Sequence, residues 1–420
     1  MPPAATNDTY AFTNPNMMRR PLLTVLGPLL FLAAQAQDPV VQSVLDALRI
    51  DSMMRYANEL SGEVPVSIAG VPQTILSRHR DNAGNAVSQA YLEQKLVQFG
   101  YAPVVQSFSA TGKNILVTKT GELYPDQYVV LCAHYDARPG PTGNAPAADD
   151  DGSGVCAVLD AARVLRDIPF AYSIVFALWD EEEFGLVGSA FYAGAMAAND
   201  ELIRGVINMD AIAYDGNGDR KARIHTRSIA NSIEVADSVF AVRDHYNIDL
   251  DLLLTNPGAT YSDHASFWNE GFGAVLVIEE FTADGNPHYH TPTDRVQYFD
   301  VPYYEKLAKL SIATAATLAE PVITTSAGVA VTGRAKELVV YPNPSMGDAL
   351  LGIDMPVSRK ANIVILDALG QEVATVHQGH LAAGGHVLAL PLMQLAPGGY
   401  WVRASWDGAN PMMTRIVKVP

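Results

Sequence analysis

Residues Val129–Ser153 read VVLCAHYDARPGPTGNAPAADDDGS. The apolar run Val129–Ala133 has the length of a strand and stops on His134 and Asp136. A Pro/Gly-rich loop follows, then Asp149-Asp150-Asp151, then Gly152-Ser153 opening an amphipathic helix. Strand, polar loop, acidic cluster and helix start is the order in which an α/β protein builds a site at the carboxyl end of a strand. A purely structural loop needs neither His-x-Asp nor three successive aspartates. The stretch therefore reads as half of a metal site.

Outward from it, four short apolar runs have the character of strands covered on both faces: Tyr128–Ala133, Ser173–Trp179, Gly205–Met209 and Gly273–Ile278. Helical spacing fills the intervals at Gly154–Arg166, Leu186–Met196, Ser228–His245 and Ser262–Asn269, and Tyr303–Leu318 closes the series. The expected fold is α/β, with a largely parallel (mixed) central sheet flanked by helices. Upstream, Gln42–Leu60 reads as one helical segment, and Ala86–Phe99 as a helix stopped by Gly100. Val104–Phe108 and Asn114–Lys119 read as strands. Residues 37–323 form this domain and 324–336 a small, polar linker. Residues 337–420 hold short β-rich segments divided by turn signals such as Asn343-Pro344 and Gly398-Gly399, and are expected to form a small all-β antiparallel sandwich.

The chain has 420 residues, 49% apolar and 17% charged, with a net charge of −17. Such acidity argues against nucleic acid and against an anionic membrane surface as partners. Residues 1–36 read as an N-terminal extension and signal peptide. Met17-Met18-Arg19-Arg20 is the basic region, Leu22–Ala34 the apolar region, and Ala34-Gln35-Ala36 the cleavage site. Residues 1–16 are polar and lie upstream of that signal, which points to Met17 or Met18 as the initiator. The apolar run is short for a stable membrane span. Cys132 and Cys156 flank the metal loop. Export permits a disulfide between them, whereas their apolar settings suit buried thiols.

The chemistry lies in what ends each run. Tyr128–Ala133 is followed by His134 and Asp136, Ser173–Trp179 by Asp180-Glu181-Glu182-Glu183, Gly205–Met209 by Asp210, and beyond Gly273–Ile278 come His288-Tyr289-His290. Any one of these alone is ordinarily a surface residue, a helix cap or a helix first turn. Together, at strand ends, their oxygens and imidazole nitrogens suit zinc. Having no thiolate among them, they suit a catalytic rather than a structural site.

His134-Tyr135-Asp136, the Ala148–Gly154 segment, Glu182-Glu183-Phe184-Gly185-Leu186-Val187-Gly188-Ser189, Asn208-Met209-Asp210 and His290-Thr291-Pro292-Thr293-Asp294 occur in this order. The set resembles the five motifs of the co-catalytic di-zinc exopeptidases, the family of secreted bacterial leucyl aminopeptidases, from about Gln37 to Thr324. The resemblance implies two Zn²⁺ per chain, bridged by Asp149. His134 and Asp210 would complete one ion's ligands, and Glu183 and His290 the other's. Glu182 would be the general base acting on a metal-bridging water, with Asp136 orienting His134. It also implies that Asp150 and Asp151 cap the helix, that Glu181 is an exposed extra carboxylate, and that His290 rather than His288 is the ligand. Asp263 and His264, in Ser262–Phe267, match a further string of the family, with a supporting role and helix capping both open. His79, His225 and His245 read as structural.

The tail carries Val340-Tyr341-Pro342-Asn343-Pro344, Leu366–Gly370, Leu395 through Tyr400 and the ending Arg415–Val419. It resembles the sorting domain of the type IX secretion system, which implies export across the outer membrane to the cell surface or medium, with the secretion machinery as partner. The function implied is a secreted zinc-dependent exopeptidase, an aminopeptidase acting on peptide or protein substrates. The alternatives are a glutaminyl cyclase on the same fold and a non-catalytic surface adhesin.

Overall fold

The computed structural model describes residues 37–322 apart from Pro141, and residues 338–419 apart from short loop segments. The expected extension and signal (1–36) and the linker (324–336) lie outside the described residues.

The chain opens with α1 (Pro39–Ala47) and α2 (Ile50–Leu60), then a hairpin of β1 (Val66–Ile68) and β2 (Val71–Gln73), then α3 (Ala83–Gln98). The single helix expected over 42–60 is thus two. Leu48 leaves the helical conformation, and the Arg49 amide donates to the buried Asp160 carboxylate at 2.9 Å. This tertiary bond sets the break. Next come β3 (Val104–Ser107), β4 (Lys113–Lys119), β5 (Tyr124–His134), α4 (Gly152–Leu165), β6 (Tyr172–Trp179), α5 (Val187–Ala198) and β7 (Leu202–Met209). They are followed by β8 (Lys221–His225), α6 (Ser232–His245), β9 (Asp251–Thr255), α7 (His264–Asn269), β10 (Ala274–Glu279), α8 (Phe281–Asp284) and α9 (Val301–Ala319).

One eight-stranded sheet has the order β3-β4-β6-β5-β7-β10-β8-β9. Its centre, β6-β5-β7-β10, is parallel and consists of the four apolar runs read from the sequence. β3, β4 and β6 pair antiparallel, as do β8 and β10, so the sheet is mixed. Alternate residues of β5 face opposite ways. Val129, Leu131 and Ala133 join the core formed with α2, α4, α6 and α9, while Val130 and Cys132 join a second core with Trp179, Tyr192 and Phe267. Both faces are covered, which is why the run is continuously apolar. β8 and β9 fall where the sequence reads as loop and helix flank. Lys221–His225 alternates Lys, Ala, Arg, Ile, His, too short and too charged to signal a strand.

The C-terminal strands are all antiparallel. β11 (Val339–Tyr341), β12 (Ala349–Met355) and β15 (Gly384–Leu390) form one sheet. β14 (Glu372–Leu381), β13 (Arg359–Leu366), β16 (Gly398–Trp406) and β17 (Met412–Lys418) form the other. Leu351, Ile353, Ile363, Ile365, Val402 and Ile416 lie in one core shared by the two sheets. Among the described residues no helix is long and apolar enough to cross a membrane.

Cys132 and Cys156 are both free and fully buried. They belong to the cores on opposite faces of the sheet, which precludes a disulfide between them. Burial pushes both thiols well above their ordinary pKa. A disulfide-exchange reagent should therefore label neither thiol in the folded protein and both in denaturant; fast labelling of the native chain would contradict this packing.

Candidate metal centre

The carboxyl ends of β5, β6, β7 and β10 lie on one side of the sheet, because these strands run parallel. β5 ends on His134. The Asp136 carboxylate stands 3.3 Å from His134 Nδ1, and its two oxygens accept the backbone N–H groups of Glu182 (3.0 Å) and Glu183 (3.2 Å). One buried aspartate thus orients the imidazole and holds the turn that follows β6. That turn is strained, with Glu181 and Leu186 at φ +58° and His290 across the centre at φ +56°.

The three aspartates of the acidic cluster point three ways. Asp151 accepts from Gly154 N (2.9 Å) at the start of α4 and from His134 N (3.1 Å), so it caps the helix. Asp149 turns away from the centre. Its oxygens accept from Ala213 N and Asn286 Nδ2, both at 2.9 Å, and burial raises its pKa to about 6. Asp150 faces the centre, with Oδ1 3.2 Å from His134 Nε2 and Oδ2 3.1 Å from His290 Nε2. The bridging position expected of Asp149 is therefore held by Asp150. The physical reason is the demand for acceptors. Ala213 N and Asn286 claim Asp149, and the helix N-terminus claims Asp151.

Around Asp150 the side chains form two triads. His134, Asp150 and Asp210 are one, and Asp150, Glu183 and His290 the other, the ligand atoms of each lying within 4.8 Å of one another. Asp210 Oδ1 is 3.6 Å from His134 Nε2, and Glu183 Oε2 is 2.9 Å from His290 Nε2. Of the expected ligands, His134, Glu183, Asp210 and His290 are brought together and Asp149 is not. With Nδ1 of His134 turned to Asp136, His134 Nε2, Asp150 Oδ2 and Glu183 Oε1 are buried without a hydrogen-bond partner. Orphaned acceptors of this kind, converging on common points, fit divalent metal ions.

The electrostatics agree. Burial raises the pKa of Glu183 to about 7, with the Asp150 charge adding to it, and burial holds Glu182 well above the carboxylate range. Burial opposes charge on His290, yet Asp150 and Glu183 outweigh it and raise its pKa to about 9. His134 is raised likewise, Glu182, Asp136, Asp150 and Asp210 overcoming its burial. The pocket is rich in carboxylates and draws positive charge.

Glu181, expected to be exposed, is buried and pairs with Arg80 at 3.3 Å. Asp263 makes no capping bond to α7. It is fully buried, and burial lifts its pKa to about 7. His264 lies edge-on to Trp268 with ring centroids 4.4 Å apart, and His288 stacks on Tyr298 at 3.6 Å. Two residues were given no role by the sequence. Arg78 is fully buried and donates to the carbonyls of Tyr135 (2.7 Å), Pro146 (2.6 Å) and Ala147 (2.7 Å). Asp294 accepts from the backbone of the acidic cluster. The only sequence signal for Asp294 was its place in the His290–Asp294 string, and Arg78 had none.

Residues 114–315 match Peptidase family M28, and residues 339–418 match a secretion system C-terminal sorting domain. A probable leucine aminopeptidase of Trichophyton verrucosum (strain HKI 0517) is 30% identical over 208 residues, covering 47% of this chain and 55% of its own length. The chain spans about half the length of the curated relatives it matches. Among solved structures, the Legionella pneumophila LapA aminopeptidase is similar at a TM-score of 0.58 and 22% identity, over 68% of this chain and 75% of that one. Porphyromonas gingivalis glutaminyl cyclase is similar at a TM-score of 0.54 and 19% identity, over 64% and 98%. At these identities the likeness to solved structures is one of fold.

The orientation of the aspartates makes a direct prediction. Asp150→Asn should cut affinity for added Zn²⁺ by about 100-fold or more, whereas Asp149→Asn should cost at most about 10-fold. Zinc titration of both variants checks this, and equal losses would contradict the assignment.

Proposed function

We propose that this chain, which carries a peptidase family M28 domain followed by a secretion system C-terminal sorting domain, is a secreted zinc-dependent exopeptidase, and more narrowly an aminopeptidase. The observation that carries the reading is the pair of triads sharing Asp150, with orphaned ligand atoms at their focus. The leucine aminopeptidase relatives support peptide or protein N-termini as the substrate class.

In this reading His134, Asp150 and Asp210 would hold one zinc ion, and Asp150, Glu183 and His290 would hold the other. Two ions against three ligand carboxylates leave one net positive charge at the centre. Bound zinc would supply Lewis acidity, polarising the scissile carbonyl and lowering the pKa of water so that it can give up a proton and attack. Glu182 is the general base. Its Oε2 lies 3.9 Å from His134 Nε2, at the edge of the first triad, and its burial favours holding a proton. It takes the proton of the attacking water and delivers it to the leaving nitrogen. Asp136 keeps His134 in the orientation that presents Nε2 to the metal position. The tail, residues 337–420, directs export through the type IX machinery, and residues 37–323 are the cargo that does the chemistry.

A glutaminyl cyclase on this fold would instead close a peptide's own N-terminal glutamine. The purified protein should release free amino acid from an aminoacyl-anilide, lose that activity to a chelator and regain it with zinc. Cyclisation of a glutaminyl peptide without hydrolysis would favour the cyclase, and zinc-loaded protein inert to both substrates would favour the adhesin. Glu182→Gln should lower kcat by about 10²–10⁴-fold while zinc content stays at the wild-type value; unchanged turnover would remove Glu182 as the base. In a host with type IX machinery, deleting residues 339–418 should leave the protein inside the cell envelope, read by immunoblot of medium and cell fractions.

A further inference from the structure

The backbone of the acidic cluster is gripped from outside both triads. Asp294 Oδ1 accepts from Asp149 N at 3.0 Å and Oδ2 from Asp150 N at 3.1 Å, while the Asp294 carbonyl accepts from Ala148 N at 3.3 Å. Asp294 is buried, four residues beyond His290. The turn between them is closed by its own bonds, Thr291 N to His288 O and Asp294 N to Thr291 O. Asn286, at the start of the same segment, donates to Asp149 Oδ2. The segment bearing His290 is therefore stitched at both ends to the loop bearing Asp150. On the other side of that loop, Arg78 takes the carbonyls of Pro146 and Ala147.

We propose that Asp294 is a positioning residue that couples the two metal positions. By locking the Asp150 backbone to the His290 turn, it sets the distance between the shared carboxylate and the second imidazole. Zinc at the Glu183–His290 position then depends on Asp294, although Asp294 belongs to neither triad. The inference rests on the two-zinc reading. Its chemistry is that of a two-oxygen acceptor matched to two successive N–H donors, a fit that an amide cannot reproduce. Asp294→Asn keeps the shape but sets an NH₂ group against one of the two backbone N–H groups.

The test measures zinc stoichiometry at buffered free zinc, and the thermal midpoint in chelator and in saturating zinc, on the full chain. Wild-type protein should take up two ions. Asp294→Asn should keep the first and bind the second about 10–100-fold more weakly, with a smaller zinc-dependent rise in midpoint. Asp300→Ala is the control. Its carboxylate caps α9 by accepting from Tyr303 N at 3.0 Å, so its loss should lower both midpoints alike and leave zinc uptake intact. Should Asp294→Asn not fold, Asp294→Ser, which faces the loop with no added N–H, is read in its place. Two ions bound with wild-type affinity, midpoints shifted equally as in the control, or failure of both variants to fold at any zinc concentration would overturn the proposal. Wild-type protein that takes up fewer than two ions would instead overturn the two-zinc reading and this inference with it.

Discussion

Asp150 sits between two imidazoles, His134 at 3.2 Å and His290 at 3.1 Å, in a buried pocket otherwise lined by carboxylates. Ionised carboxylates are expensive to bury without compensation. The imidazoles compensate Asp150 enough to hold its pKa below the ordinary range despite its burial, but Glu182 and Glu183 are driven upward. A site of this composition has a standing requirement for cations. Parallel strands meet the geometric half of the problem, since β5, β6 and β7 bring their carboxyl ends, and the residues that follow them, to one side.

Loops dense in buried polar groups need other buried polar groups to hold them, and here each anchor serves more than one loop. Asp136 ties the end of β5 to the turn after β6. Asp180 accepts from Asn85, Lys113 N and Tyr135 Oη, linking α3, β4 and the β5 loop. Gly188 opens α5 close against Asn114 and the Asp180 backbone, where a side chain would collide. Hydrogen bonds to charged groups contribute about 1.5–3 kcal/mol each. A network of them fixes ligand atoms more firmly than apolar loop packing, and that preorganisation is what a metal centre needs.

Much of this was legible in the residues. The four central strands are apolar on both faces because helices cover both, so a continuous run betrays them. His134 and Asp210 were found because each directly follows such a run, whereas Glu183 and His290 were singled out by the resemblance of the Glu182–Ser189 and His290–Asp294 strings to family motifs. Less was legible where a residue's role depends on a partner distant in sequence. The break after α1 depends on Asp160, the burial of Glu181 on Arg80, and β8 on its pairing with β10 and β9. Arg78 is an isolated basic residue in the sequence and a carbonyl clamp in the fold.

Asp149-Asp150-Asp151 marks the division most sharply. The amino-acid order alone determines that three carboxylates arrive together between a strand and a helix, beside His134 and Asp136, a donor set of the kind a cation site uses. It cannot say which carboxylate faces the cation, because three adjacent residues in a turn have side chains of equal reach and similar local preference. Tertiary structure decides by competition for donors. Ala213 and Asn286 take Asp149, the amide of Gly154 takes Asp151, and Asp150 is left between the imidazoles of His134 and His290.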